Sequence, residues 1–326
     1  VGTLADFLNA PLAWLQQGLY QGVFQPLLYA AGWMQFDEIA FDATEWLLIG
    51  ALEVVLLWLV LGAFERRWPA QSVSTMDPER RRQRRAAIRT DVIYTLLHRL
   101  GGFALLAFLL LQPAMDAIDG QLRLWGISPW QLDSLWPGVS DIAWVSVLLY
   151  LVVLDAADYA IHRAQHRFGW WWALHGLHHS QQDMTFWSDQ RNHLLDDLIR
   201  DALLAVLALA IGVAPEQYVL LVVLTRVAQS AQHANWATDF GVLGRWLIVS
   251  PAFHRLHHAI GVGHEGPRQG CNFGVIFPWW DRLFGSADFS YPAGETGIRD
   301  QLAGRDYGRG FWSQQWLGIA RMFGRG

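Results

Sequence analysis

Three stretches of this chain, at about residues 44–64, 92–114 and 141–161, are predominantly apolar and approach the roughly 20 residues an α-helix needs to cross a bilayer. The first holds only Glu45 and Glu53 as acids, and within the third residues 141–154 are almost purely apolar after Asp141. A fourth stretch, 202–232, holds Pro215 near its middle. The residue before a proline is biased away from helix, which predicts two short helices forming a hairpin. Each arm is shorter than a full crossing, so the hairpin is expected to dip in and return. Residues 5–36 are moderately apolar and suit either an interfacial segment or a packed amphipathic helix. Near the C-terminus Phe311, Trp312, Trp316, Ile319 and Phe323 recur at helical spacing beside Arg321 and Arg325, the pattern of an amphipathic helix lying on headgroups. The expected fold is all-α and integral to a membrane, with about four transmembrane helices including the short hairpin.

Charge orients this arrangement. Arg66, Arg67, Arg80, Arg81, Arg82, Arg84, Arg85 and Arg89 crowd into one short segment between the first two spans, read here as an inter-helix loop that the positive-inside rule makes cytoplasmic. Crossing out through 92–114 and back through 141–161 then returns the chain to the cytoplasmic side near residue 162, and the hairpin brings residues 233 onward to the same side. Composition agrees with lipid surroundings: 53% of residues are hydrophobic, 16% are charged and mean hydropathy is +0.18, unusual for a soluble chain of this length. Nineteen tryptophans suit membrane interfaces, although core packing accounts equally for Trp170–Trp172 and for Trp279 and Trp280. The net charge of −5 argues against nucleic acid as a partner. All 24 basic residues are arginine, which suggests a GC-rich bacterial genome and hence the inner membrane. The single Cys271 permits no intramolecular disulfide and suits a cytoplasmic face. No cleavable signal pattern is expected at the start.

Candidate chemistry lies in the histidines. Eight of the twelve fall into three clusters: His162 and His166, then His175, His178 and His179, then His254, His257 and His258. One cluster of the second kind would arise by chance roughly once in fifty to a hundred such chains; two with a third beside them point to metal. Residues three and four apart share a helical face, so the imidazoles converge. Imidazole favours zinc, copper, iron or nickel, whereas magnesium and calcium need oxygen shells that these clusters lack. One zinc takes about three or four protein ligands, so eight histidines imply two metals. Asp155 and Asp158 precede His162 by seven and four residues, and a metal-bound histidine usually donates its second N–H to a carboxylate or carbonyl. Asp158 is therefore a candidate catalytic support, set against simple pairing with Arg163 or Arg167, and Asn235, Asn272 and Asp281 are weaker candidates of the same kind.

Over residues 141–300 these clusters, in this order and divided by a hairpin, resemble the fatty acid hydroxylase/sterol desaturase superfamily of integral-membrane di-iron oxygenases. The resemblance extends to Asp158-Tyr159, Arg191-Asn192-His193, His233-Ala234-Asn235, Asn272-Phe273-Gly274 and the run Trp280 to Gly285. The runs Ser250 to His258 and His178 to Asp183 are most like the alkylglycerol monooxygenase branch. There are departures: where many sterol desaturases have Arg-x-His-Pro-x-Glu, this chain has Arg191 to Asp196 with leucines after His193, and residues before 140 match no family pattern. The resemblance implies two irons held by the eight clustered histidines, with His233 as a ninth ligand and His193 as a tenth. The residues alone do not choose iron over zinc, and zinc in an isolated preparation would be unsurprising.

The domain organisation expected is a membrane region over 1–140, a di-iron domain over 141–300 whose histidine-rich helical cap faces the cytoplasm, and an interfacial tail over 301–326. The resemblance implies O2 activation and oxygen insertion into a C–H bond of a lipid, sterol-like or terpenoid substrate drawn from the bilayer. A desaturase on the same metals is the alternative, followed by a zinc-dependent hydrolase or a non-enzymatic metal protein. Nothing here resembles a nucleotide fingerprint or haem attachment motif, so electrons must come from a ferredoxin, cytochrome, flavoprotein reductase or reduced pterin. The arginine segment is either its docking surface or a site for anionic headgroups.

Overall fold

In a computed structural model, which describes residues 4–74, 76–264 and 269–325, the described chain is helical and contains no strand. Two isolated bridges join Pro69 to Trp236 and Ala259 to Thr296. The α-helices in order are α1 (Leu4–Leu19), α2 (Gln25–Ala31), α3 (Asp37–Arg67), α4 (Pro78–Arg99), α5 (Gly102–Leu124), α6 (Ala143–Arg167), α7 (Gly169–His179), α8 (Leu194–Ile211), α9 (Pro215–His233), α10 (Gly241–Trp246), α11 (Pro251–His257), α12 (Trp279–Leu283), α13 (Arg299–Leu302) and α14 (Phe311–Met322).

Three segments are long and apolar enough to cross a membrane: Met34–Arg67, which contains α3, then α5 and α6. Their outward faces are bare hydrocarbon, with Leu52, Val55, Leu56 and Leu59 on α3 and Leu106, Leu109 and Leu110 on α5 exposed. Patches of that extent mark a surface meant for another apolar phase. The second span runs over 102–124 rather than 92–114. Gly101, at φ +83°, breaks the chain there in a backbone conformation that suits glycine, and residues 92–99 complete α4 instead.

The arginine segment is also helical rather than a loop. Asp77 accepts a 2.8 Å bond from the Arg80 N–H and Pro78 takes the first helical position, an N-cap and a residue with preset φ. One face of α4 carries exposed Arg82, Arg85 and Arg89. The other buries Thr90, Asp91, Thr95, His98 and Arg99, a polar face that hydrophobic periodicity does not reveal.

The predicted hairpin is present as α8 and α9, turned by Gly212 (φ +71°) with Pro215 at the start of the second arm. Its tip is tied to the first turns of α6: the Tyr150 hydroxyl donates to Gly212 O (3.1 Å) and Gln217 Nε2 to Ser146 Oγ (2.8 Å). Tyr150, Leu154, Leu204, Ala208, Ile211 and Leu221 form the apolar core between these helices. From Ser146 to His162 at 1.5 Å per residue, the tip stands about 24 Å from the histidines.

Closer to the histidines the helices are joined by charge. Arg99 binds Glu53, Asp189 (2.9 Å) and Ser230 (2.7 Å), linking α3, α4 and α9 to the loop before α8. Arg200 Nε donates to Asp158 Oδ1 (2.7 Å), linking α8 to α6. The C-terminal helix α14 packs on α7 and α4, and Gln315 fastens it: its side chain accepts from Leu194 N (2.9 Å) and donates to the Tyr94 hydroxyl (3.0 Å). Trp312, Trp316 and Phe323 point outward and are exposed.

Candidate metal centre

Nine histidines converge where the C-terminal ends of α6 and α9 meet α7 and α11. One group is His162, His166, His179 and His257; the other is His178, His233, His254 and His258. All eight are buried, and within each group one potential ligand atom per residue lies within 4.8 Å of the others. The ninth, His175, has its ring centroid 5.2 Å from both His162 and His166. Helical spacing places each ring: α6 offers His162 and His166 one turn apart, while α7 and α11 each offer residues i, i+3 and i+4.

Hydrogen bonds fix the rings in a way that exposes their purpose. His162 Nδ1 lies 2.9 Å from Phe273 O, His257 Nδ1 2.7 Å from Cys271 O, His233 Nδ1 2.8 Å from Gln229 O and His175 Nδ1 2.9 Å from Asp196 Oδ2. A carbonyl only accepts, so each Nδ1 bonded to one carries the proton; an ionised carboxylate sets His175 the same way. The Nε2 lone pairs of these rings then point inward. His162, His175 and His257 Nε2 have no hydrogen-bond partner, and neither ring nitrogen of His166 or His179 has one. In the second group His233 Nε2 lies 3.1 Å from His178 Nε2 and 3.0 Å from His254 Nε2, which in turn lies 3.1 Å from His258 Nε2. Ligands 2.0–2.1 Å from a tetrahedral ion stand roughly 3.3–3.4 Å apart, close to this spacing. The unpartnered inward Nε2 atoms of the first group and the four Nε2 atoms gathered at this spacing in the second both fit a metal ion.

Electrostatics agrees. Burial, followed by the neighbouring rings, holds His178, His179, His254 and His258 well below the usual histidine range; His257 is lowered chiefly by burial and then by His162. The rings are thus neutral, the form that binds metal.

The loop after α11 supplies two of the orienting carbonyls and is itself pinned. Asp281 accepts from Phe273 N (2.8 Å) and Gly274 N (2.7 Å), while Asp155 accepts from Ile276 N (2.7 Å), Phe277 N (3.1 Å) and Trp280 Nε1 (2.9 Å). Burial pushes the Asp281 carboxyl up to about 6, against the pull of those N–H groups. Asn272 sits between Cys271 and Phe273 at φ +58°, a left-handed conformation that asparagine tolerates. Its side chain donates to Phe253 O (3.0 Å) and Asp288 O (2.8 Å).

Other residues singled out from the sequence lie elsewhere. Asp158 engages Arg200 rather than a histidine. Asn235 ties the chain after α3 to the chain after α9, accepting from Gln71 N (2.8 Å) and Arg255 Nη2 (3.3 Å). His193 stands outside both groups: Nε2 donates to Gln315 O (2.8 Å) and Nδ1 accepts from Leu195 N (3.1 Å), which engages both nitrogens in local structure. Asp196 was not singled out, yet it bonds His175, Gln165 and Trp171. The signal was available, since Asp196 stands where the Arg-x-His-Pro-x-Glu pattern has its carboxylate.

The fold and the site define a helical protein with membrane-length helices and two buried histidine groups able to hold metal. Residues 147–286 match the family model described as Fatty acid hydroxylase. Alkylglycerol monooxygenase from Caenorhabditis elegans is 29% identical over 48% of this chain and 27% of its own length. A Δ(7)-sterol 5(6)-desaturase from Gibberella zeae is 28% identical over 47% of this chain and 46% of its own. An ornithine lipid hydroxylase from Rhizobium tropici is 28% identical over 46% and 44%. The chain thus matches a quarter to a half of the length of these relatives. No solved structure matches it.

Proposed function

We propose that this protein is a membrane di-iron monooxygenase that hydroxylates a lipid or sterol-like substrate. The observation that carries the reading is the pair of buried histidine groups: in the first, Nε2 atoms have no hydrogen-bond partner, with His162 and His257 oriented by carbonyls and the adjoining His175 by Asp196, and in the second, four Nε2 atoms gather at 3.0–3.1 Å contacts. His162, His166, His179 and His257, with His175 beside them, would hold one ion; His178, His233, His254 and His258 would hold the other. His193 is not included. When bound, the two irons would supply redox chemistry with O2 that no side chain can perform. The chain's own share is to hold the histidine ligands, orient them through the 271–281 loop and Asp196, and keep them from bulk water.

Hydroxylation breaks one C–H bond and forms C–O; the second oxygen atom leaves as water, and two electrons and two protons enter from outside. A ferredoxin, cytochrome, flavoprotein reductase or reduced pterin would provide the electrons. The hairpin's depth alongside α6 supports a fourth pass into the bilayer by α8 and α9, with the histidine cap at the arginine-rich face, read as cytoplasmic and, from the all-arginine composition, as lying at a bacterial inner membrane.

Incubating the metal-loaded protein in nanodiscs with lipid extract, a reductant and 18O2 tests the reading. One 18O atom per product lipid is expected. A new double bond without label would assign a desaturase instead, the reading favoured by the sterol desaturase relatives. Turnover without O2 would refute both.

A further inference from the structure

Against the two histidine groups, on the hairpin side, lies a cavity of about 60 Å³ bordered by His162, His175, His178, His233 and His254. Its remaining wall includes Asp158, Asp189, Asp197, Arg200 and Gln232. The space suffices for a few water molecules at roughly 10–15 Å³ each, or for one small polar group. An alkyl segment placed there would strip water from charged walls with nothing in return.

Two of the charges in this wall are paired: Asp158 faces Arg200, and Asp189 Oδ2 accepts from Arg99 at 2.9 Å. Asp197 Oδ2 lies 3.2 Å from His98 Nε2, but burial pushes the His98 ring down to about 3, so it supplies no balancing charge. What is unmet is hydrogen-bonding capacity. Asp189 and Gln232 are 1% and 2% exposed, and neither Asp189 Oδ1 nor Gln232 Oε1 has a partner. Gln232 Nε2 is committed to Val275 O at 2.7 Å, which holds the amide oxygen in place. Both free atoms are acceptors, so the missing group is a donor. Metal ions in the adjoining histidine groups would repel an ammonium, so a neutral donor fits.

Resting on the hydroxylase reading for its metals, we propose that this cavity receives a hydroxyl group of the substrate, bound by Asp189 and Gln232. The substrate class is then a hydroxylated amphiphile, and the oxidised carbon lies within a few bonds of that alcohol, since five histidines border the same cavity. The oxidation is the one balanced above, with O2 and an external two-electron donor; the bound hydroxyl is a handle and does not react.

The test measures binding apart from turnover. Isothermal titration of the purified, metal-loaded full chain in detergent compares 1,2-hexadecanediol, 1,2-dimethoxyhexadecane and hexadecylamine, which share a chain but differ in donor and charge. The diol is expected to bind at least about tenfold more tightly than the dimethyl ether, the scale of satisfying a buried acceptor, and more tightly than the amine. Gln232→Leu and Asp189→Asn, the latter placing an amide at the acceptor position, are each expected to reduce that preference to threefold or less with metal content intact. Equal binding of diol and ether by the unaltered protein overturns the proposal, as does tighter binding of the amine. If both variants lose metal, the unaltered protein's three affinities still decide. Selective diol binding without any 18O transfer would defeat the hydroxylase reading and keep the cavity assignment; 18O transfer without diol preference would do the reverse.

Discussion

A histidine is oriented as a ligand when its other nitrogen is occupied, and in the four rings where that nitrogen has a partner here, three of the partners are backbone carbonyls. Phe273 O and Cys271 O hold His162 and His257, and no side-chain pattern announces a carbonyl. Asp196 is the exception, a carboxylate on His175 that also gathers Gln165 and Trp171. Changing such a support typically costs ten- to a hundredfold in metal affinity. Asp196→Asn is expected to lower affinity by that factor in competition with a chelator, while His193→Ala leaves metal content unchanged and loosens α14. Equal metal retention by Asp196→Asn and the unaltered protein would remove Asp196 from the site's support. The ring environment also sets a pH dependence. His178, His179, His254, His257 and His258 are neutral in the fold and held below their usual range, so on unfolding below about pH 6.5 each takes up a proton. Their contribution to stability is fully present above the unfolded value and falls as pH drops beneath it, at about 1.4 kcal/mol per pH unit for each proton taken up. The metal-free protein is therefore expected to lose little thermal stability from pH 7.5 to about 6.5 and progressively more from there to about 5.5. A flat or rising midpoint over that interval would contradict the neutral-ring assignment.

At the scale of helices, α3 and α4 approach closely because Gly50 lets them. A Cβ at that position would lie 1.6 Å from Arg99 O, a backbone atom that cannot step aside, and the same approach lets Glu53 reach Arg99. Gly50→Ala is expected to destabilise the protein by about 1–3 kcal/mol, the usual cost of overpacking, read as a lowered thermal midpoint in detergent. An unchanged midpoint would mean that α3 and α4 do not pack this way. The sequence announced α3, α6 and the α8–α9 hairpin because predominantly apolar runs and Pro215 are local signals. It misplaced α5 by ten residues and hid α4. The run beginning at residue 92 reads through His98, Arg99 and Gly101 as one apolar span, and the N-cap Asp77-Pro78 precedes arginines that read as a solvated loop. The histidine groups were legible from helical spacing alone, with His233 named through family likeness. The polar wall beside them was not. Arg99 meets Asp189 across 90 residues and Arg200 meets Asp158 across 42, and pairings at such separations leave no periodic trace.

Taken whole, the molecule divides into an apolar shaft and a polar head, and the division predicts its orientation. The loop between α5 and α6 carries exposed Trp125, Trp130 and Trp136, and Trp130 N donates to Ala210 O at the hairpin tip (2.9 Å). At the other end lie exposed Arg82, Arg85 and Arg89 with both histidine groups. Tryptophans at one end and arginines at the other are the expected anchors of two interfaces separated by hydrocarbon. If α3, α5 and α6 cross and the hairpin enters and returns on one side, residue 130 and residue 82 must face opposite compartments. Cys271 is the only native cysteine and is buried, so labelling can be made clean with Cys271→Ser. In that background, Trp130→Cys in intact bacterial spheroplasts is expected to react with a membrane-impermeant maleimide, and Arg82→Cys only after the membrane is opened. Equal labelling of both from outside would bring the histidine head and the tryptophan loop to one face. That result would leave α5 and α6 as a re-entrant pair and remove the reason for placing the metal groups at the cytoplasmic surface.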